Sequence, residues 1–182
     1  MLNMDNKQLA VATFGGGCFW CIDAAFRRVT GVHKVESGYA GGDIDQPTYQ
    51  QICTGLTGHA EVVQITFDDK QVSFETLLEM FFTLHDGTQL NRQGNDIGTQ
   101  YRSVVFYHTA DQQQATTQKI AQLNRELNIN LVTEVSAAPT FFGAEQYHQD
   151  YYTANPNQGY CSVMIAPKIA KFSERFASLL TV

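Results

Sequence analysis

Residues 9–28 read LAVATFGGGCFWCIDAAFRR, and this stretch decides the fold. The apolar run from Leu9 to Phe14 predicts a strand, Gly15-Gly16-Gly17 a tight turn, and Cys18 to about Arg28 a helix. A thiol at such a strand-to-helix turn meets the helix dipole and free backbone N–H groups. Both are expected to lower the Cys18 pKa from its free value of about 8.5.

Outward from this turn, a strand is expected near Val32–Tyr39, followed by the turn-rich stretch SGYAGGDIDQPTYQQICTGLTGHA. The run AEVVQITF alternates as a strand. In SFETLLEMFFTLHD, Phe74, Leu77, Leu78 and Phe81 recur at helical spacing behind Ser73, a suitable N-cap. A second turn-rich stretch, GTQLNRQGNDIGTQ, precedes a strand at YRSVVFYH. A polar helix is expected from about Ala110 to Asn128 with Ile120, Leu123 and Leu127 on one face, then a strand at Leu131–Ser136 and a helix near Ala144–Thr153. A closing helix begins at Pro167 and carries Ile169, Phe172, Phe176 and Leu179. This order predicts an α+β fold, a two-layer α/β sandwich whose mixed sheet is covered by helices, in one domain spanning residues 1–182. The two long loops are expected to form a site, because long loops in a compact domain are otherwise uncommon.

The chain has 182 residues, 43% hydrophobic and 16% charged, with a net charge of -6, which suits a single soluble core. An acidic balance argues against nucleic acid or an anionic membrane as partner, since both reward a basic face. No stretch approaches the roughly 18 apolar residues that span a bilayer. The opening MLNMDNKQLAVATF lacks the basic start and cleavage site of a signal peptide, so the expected location is cytoplasmic. Cys18, Cys21, Cys53 and Cys161 do not read as a secreted disulfide framework, which leaves catalytic, metal-binding or buried roles.

A buried Cys18 acting as a small hydrophobe is the plain reading of one cysteine. Phe19 and Trp20, the only Trp, change the balance, because two aromatics beside a thiolate wall an apolar pocket suited to a methyl or thioether group. Cys21 completes a C-x-x-C, as in thioredoxin-like disulfide oxidoreductases, although Phe-Trp is not their usual intervening pair. Structural zinc would need a second ligand pair at short spacing, and Cys53 and Cys161 stand far apart. The glycine run lacks the Lys-Ser/Thr of a phosphate-binding loop. Glu61 shares its strand face with Val63, Ile65 and Phe67, so its carboxyl is expected to be desolvated, with a raised pKa suited to a general acid. Tyr49, Asp96 and Tyr101 lie in or beside the long loops, where phenol hydroxyls can donate to a polar S–O bond. His59, His85 and His148 are each available for a Cys-His hydrolase pair, and no spacing singles one out.

The blocks GGGCFWC, Tyr39-Ala40-Gly41-Gly42, PTYQQICTGLTGHAEVV, RQGNDIGTQYRSVVF and NPNQGYC together resemble the A-type peptide methionine sulfoxide reductases, in order, from about Leu9 to Phe172. The resemblance implies reduction of the S epimer of methionine sulfoxide, free or in oxidised proteins. It implies Cys18 as nucleophile, Phe19 and Trp20 as the wall of the methyl pocket, and Tyr49, Glu61, Asp96 and Tyr101 on the oxygen side, with Glu61 as proton donor. It also implies a sulfenic acid on Cys18 that condenses with a second thiol, Cys161 being the first choice and Cys21 the alternative. Thioredoxin then restores the dithiol, with no bound cofactor or metal. The chain departs from the family in Asp23, where Glu is common, and in Cys21, where many members have Gly. Asp23 is read as a charge at the helix N-terminus rather than an acid in the reaction.

Overall fold

In the computed structural model, which describes residues 9–181, β1 (Ala10–Gly15) lies between β3 (Ala60–Phe67) and β6 (Val104–Tyr107), antiparallel to both. A strand with neighbours on both edges and cover on both faces needs no polar alternation, which is why its last four residues are all buried. The expectation about the opening segment falls largely on residues 1–8, outside the described residues.

β2 (Val32–Ala40) pairs with β3, and β8 (Phe141–Gly143) adds to its far edge. β7 (Glu134–Ala137) runs parallel to β6 and closes the six-stranded sheet in the order β7-β6-β1-β3-β2-β8. The expected mixed sheet in an α+β sandwich is the observed architecture. One face carries the main core, where Phe14, Val63, Ile65 and Phe67 meet α1 (Phe19–Phe26), α3 (Phe74–Leu84) and α6 (Ala166–Arg175). A smaller cluster of Ala60, Val62, Val104 and Phe106 fills the opposite face.

Local signals account for several boundaries. Ser73 accepts the Thr76 N–H at 3.1 Å and starts α3, and Pro167 sits in the first turn of α6. Thr48 and Gln51 form a reciprocal capping box that starts α2 (Tyr49–Cys53) inside the first long loop, a helix the turn-rich composition concealed. A two-stranded hairpin, β4 (Arg92–Gln93) with β5 (Asp96–Ile97), stands in the second loop.

Other expectations change. The strand anticipated at Leu131–Ser136 begins three residues later, because its register is set by pairing with β6. α4 (Ala110–Leu127) is less buried than its apolar positions suggest, with Leu127 61% exposed. The helix expected at Ala144–Thr153 is instead a one-turn 3₁₀ segment, Gln146–His148, and a short α5 (Tyr151–Ala154). Asp150 separates them at φ 52°, a left-handed conformation that breaks a continuous helix. Before α6 the chain makes a π-helical turn, Cys161–Ile165.

Candidate active site

β1 delivers Cys18 to the mouth of the sheet. Gly17 takes φ 81° and donates its N–H to the Tyr101 carbonyl at 3.1 Å, which joins the glycine turn to the second long loop. Cys18 is then the N-cap of α1, half-buried, with Phe19 and Trp20 opening the helix.

Sheet register brings Glu61 to this turn. Tyr39 of β2 is opposite Glu61 of β3, and a Cβ on Gly15 would stand 2.9 Å from the Glu61 carbonyl oxygen. The end of β3 therefore abuts the end of β1, and the Glu61 carboxylate accepts the Phe19 N–H at 3.2 Å. Its side chain is buried, and desolvation raises its pKa to about 8, with the Phe19 N–H opposing and Asp96 adding to the rise.

Cys18 departs from expectation. Burial first, and the Glu61 carboxylate second, push its thiol well above the ordinary value, while the Trp20 N–H pulls the other way. The helix N-terminus is in place, but its stabilisation of a thiolate is smaller than the desolvation it works against. In the substrate-free site, Cys18 therefore rests as a thiol beside a largely protonated Glu61 at neutral pH.

Tyr49 and Tyr101 lie in the same field: burial, with a contribution from the Glu61 charge, raises both phenols and keeps them as hydroxyl donors. Asp96 accepts the Tyr160 hydroxyl at 2.6 Å. Trp20 stacks on Tyr151 at 3.8 Å between centroids and donates its indole N–H to His148 Nδ1 at 3.0 Å. Phe19 is fully buried against Tyr39 and His148, and Tyr49 meets the His148 ring edge-on at 4.4 Å. The result is an aromatic wall beside the thiol.

The histidines are used elsewhere. His85 donates to the Phe81 carbonyl and accepts from Ser103 Oγ, each at 2.7 Å, and burial lowers its pKa to about 4. His59 accepts the Gly42 N–H and donates to the Ile44 carbonyl. Among the described residues no imidazole hydrogen-bonds Cys18, so a Cys-His pair has no geometric basis. Asp23 is also more than a helix-end charge. Fully buried, it binds Arg27, accepts from Ser37 Oγ at 2.8 Å and from the Asp150 N–H at 3.2 Å, tying α1 to β2 and to the loop before α5.

The four cysteines are free. Cys18 and Cys21 both line a cavity of about 190 Å³ that also reaches Asp96, Tyr160 and Lys168. Cys161 lies in the π-helical turn rather than in a loose glycine loop, and it is fully buried. Cys53 is exposed, beside the Tyr49 hydroxyl. Among the described residues no cluster of three His, Cys, Asp or Glu side chains could hold a metal, and no helix is long and apolar enough to cross a membrane.

The family model for peptide methionine sulfoxide reductase matches residues 10–179. The chain belongs to that family. The peptide methionine sulfoxide reductase MsrA of Acinetobacter baumannii is 55% identical over 169 residues, covering 93% of this chain and 97% of its own. Among solved structures, reduced Mxr1 from Saccharomyces cerevisiae superposes with a TM-score of 0.79 at 30% identity, over 86% of this chain and 91% of that one. Methionine sulfoxide reductase A of Corynebacterium diphtheriae gives 0.76 at 33%, over 90% and 82%. Mxr1 has also been solved in complex with Trx2, a less similar form with a TM-score of 0.56 at 19% identity over 83% and 90%. Membership carries methionine sulfoxide reduction as the activity.

Sequence reasoning missed Tyr151, Tyr160 and the pairing of His148 with Trp20. Tyr160 stands in the NPNQGYC block beside Cys161, and nothing local marks its hydroxyl as a site group. The other two reach Trp20 across more than 120 positions, through a segment whose helix was misread.

Proposed function

We propose that this chain reduces the S epimer of methionine sulfoxide, free or within oxidised proteins, with Cys18 as nucleophile and Glu61 as general acid. The observation that carries this is the buried Glu61 carboxyl beside the start of α1, with a pKa raised to about 8 and two phenols in its field. A carboxylic acid kept neutral near pH 7 can donate to a sulfoxide oxygen, whereas an ionised one cannot.

The sulfoxide oxygen takes hydrogen bonds from Glu61, Tyr49 and Tyr101, and its methyl group rests against Phe19 and Trp20. The partial positive charge on the substrate sulfur favours the Cys18 thiolate, offsetting the burial that disfavours it. Sulfur attacks sulfur, the S–O bond breaks as the oxygen is transferred, methionine leaves, and Cys18 holds a sulfenic acid. Asp96, through Tyr160, orders the loop that faces the incoming substrate.

A second thiol condenses with the sulfenic acid and releases water. Cys161 is the first choice for this thiol, in the turn whose Tyr160, Met164 and Ile165 line the cavity beside Cys18, and Cys21, which lines that cavity itself, is the alternative. Thioredoxin is the proposed reductant, in keeping with the Mxr1 complex with Trx2. A cytoplasmic setting, where thiols stay reduced, suits the four free cysteines.

The test is NADPH-coupled thioredoxin turnover with the S and R epimers supplied separately. Turnover of the S epimer alone is expected. Equal turnover of both, or of neither, overturns the reading.

A further inference from the structure

His148 is fully buried in the one-turn 3₁₀ segment Gln146–His148, and its ring touches both sides of the site. Phe19 and Trp20 lie at 5.1 and 5.8 Å between centroids, and Tyr49 meets the ring edge-on at 4.4 Å. Its Nδ1 accepts the Trp20 indole N–H at 3.0 Å. An indole nitrogen only donates, so the ring proton of His148 must sit on Nε2. The neutral imidazole in that one tautomer is therefore the form the structure holds.

The other aromatic contacts of the indole are a stack on Tyr151 at 3.8 Å and an edge-on meeting with Tyr160 at 6.0 Å. Such contacts fix the plane of the ring but leave it free to turn within that plane. The hydrogen bond to Nδ1 removes this freedom. On the far side of the imidazole, Nε2 is buried without a hydrogen-bond partner. Glu145 Oε2 is 3.8 Å from it, and that carboxylate already accepts the Tyr39 and Tyr147 hydroxyls at 3.2 Å each.

A second proton on the ring would turn Nδ1 into a donor facing a donor. The groups that govern this proton come from each element around the ring. Glu145 and Tyr147 stand beside it in the chain, Tyr49 comes from α2, and Tyr39 reaches Glu145 from β2. Asp150, two residues on, lies toward Arg27 at the end of α1, 3.8 Å away. Burial holds the His148 pKa below its ordinary value, with the Glu145 charge opposing.

We propose that His148 is a positioning residue for the substrate pocket, its Nδ1 holding the Trp20 indole in the wall that receives the sulfoxide's methyl group, and that protonation of the ring releases the indole. This rests on Phe19 and Trp20 forming that wall, as in the proposed function. Above the His148 midpoint the neutral ring is present and the wall is set. As pH falls through the midpoint, Nδ1 gains a proton, the indole turns away and sulfoxide binding weakens. The chemical step stays with Cys18 and Glu61, so the effect falls on half-saturation rather than on the rate at saturation.

Trp20 is the only tryptophan in the chain, so its fluorescence reports its own surroundings. The experiment pairs that emission with the first turnover of a short peptide carrying methionine-S-sulfoxide, in the parent, His148→Asn and His148→Leu, between about pH 4.5 and 8. Asn places a carbonyl oxygen that does not titrate near the position of Nδ1, and Leu supplies no acceptor. In the parent, emission and half-saturating concentration should change together through one midpoint below about 6.5. His148→Leu should raise the half-saturating concentration about five- to thirtyfold at neutral pH, as expected for a buried donor left unpartnered, with little change in the maximal rate. His148→Asn should recover most of that loss and should lack the acid transition in both signals.

An acid transition of parental midpoint in His148→Asn overturns the proposal, and so does parental half-saturation in His148→Leu. If His148→Leu lowers the melting temperature, the parental fluorescence titration and the Asn variant decide. Trp20→Leu separates the two layers. If it leaves half-saturation unchanged, the pocket reading fails along with the proposal; if it raises half-saturation while neither His148 variant does, the proposal alone fails.

Discussion

Two regions meet at Cys18, and they are built differently. Glu61 is held by strand pairing: its backbone is locked opposite Tyr39, and its carboxylate is tied to the Phe19 N–H. Cys21 and Cys161 sit instead on helical turns, one of them a π turn that departs from the regular helix. A general acid must stand still relative to the bond it protonates, and a sheet interior supplies that. A resolving thiol must cover distance after the first step, and a helical turn next to a cavity is the better place for it. On the proposed roles, the two halves of the reaction fall on elements of different kinds.

The sharpest way to break this comparison is Glu61→Gln. Methionine release should fall by roughly 10²–10⁴-fold, as expected for loss of a general acid. Disulfide formation from a sulfenic acid made on Cys18 with hydrogen peroxide should persist. Thiol counting after each oxidant checks this, and parallel loss of both steps would erase the distinction between the regions.

Tyr101→Phe comes next. Removing one of the donors to the oxygen should cost about tenfold to a hundredfold in methionine release, below the cost of losing a lone oxyanion donor because Tyr49 remains. Stopped-flow measurement of the first turnover decides it, and an unchanged rate removes Tyr101 from the oxygen side.

The pH profile sharpens the comparison further. Because the Glu61 pKa is raised to about 8, its acid form is present below that value and is lost as pH rises through it. At saturating substrate, where the bound sulfoxide favours the Cys18 thiolate, methionine release should therefore fall by about tenfold per pH unit above that midpoint, while the thiolate-dependent disulfide step should rise over the same range. Opposite slopes for the two steps are the expected result, and a shared slope would sink it.

The smallest effect is expected from Tyr151→Leu. Losing the 3.8 Å stack on Trp20 removes about 0.5–1.5 kcal/mol of aromatic pairing, enough to raise KM by roughly two- to tenfold. Steady-state kinetics on a short peptide substrate should show the rise in KM with little change in kcat.

Much of this was legible in the chain. The period-two pattern of AEVVQITF put Glu61 on the core face, and burial on that face is what raises its carboxyl. The glycine run before Cys18 marked the turn, and Gly17 does occupy the left-handed region there. What escaped the reading depends on distant partners. The Trp20–His148 hydrogen bond and the Trp20–Tyr151 stack join segments more than 120 residues apart, and no local propensity encodes such a pairing. The segment carrying them was misread as a helix because its composition favours one, whereas the left-handed Asp150, whose N–H is held by the buried Asp23, interrupts it.

The sequence by itself determined the longer strands and helices, the thiol at a strand-to-helix turn and, through its ordered motifs, the family. Periodicity and turn chemistry are local, so they survive in one dimension. Only the tertiary structure decided that Cys18 rests as a thiol, since burial outweighs the helix dipole and burial cannot be summed from neighbours in sequence. It also decided that Cys21 shares an open cavity with Cys18 while Cys161 does not, because access to a sulfur is a property of packing rather than of spacing along the chain.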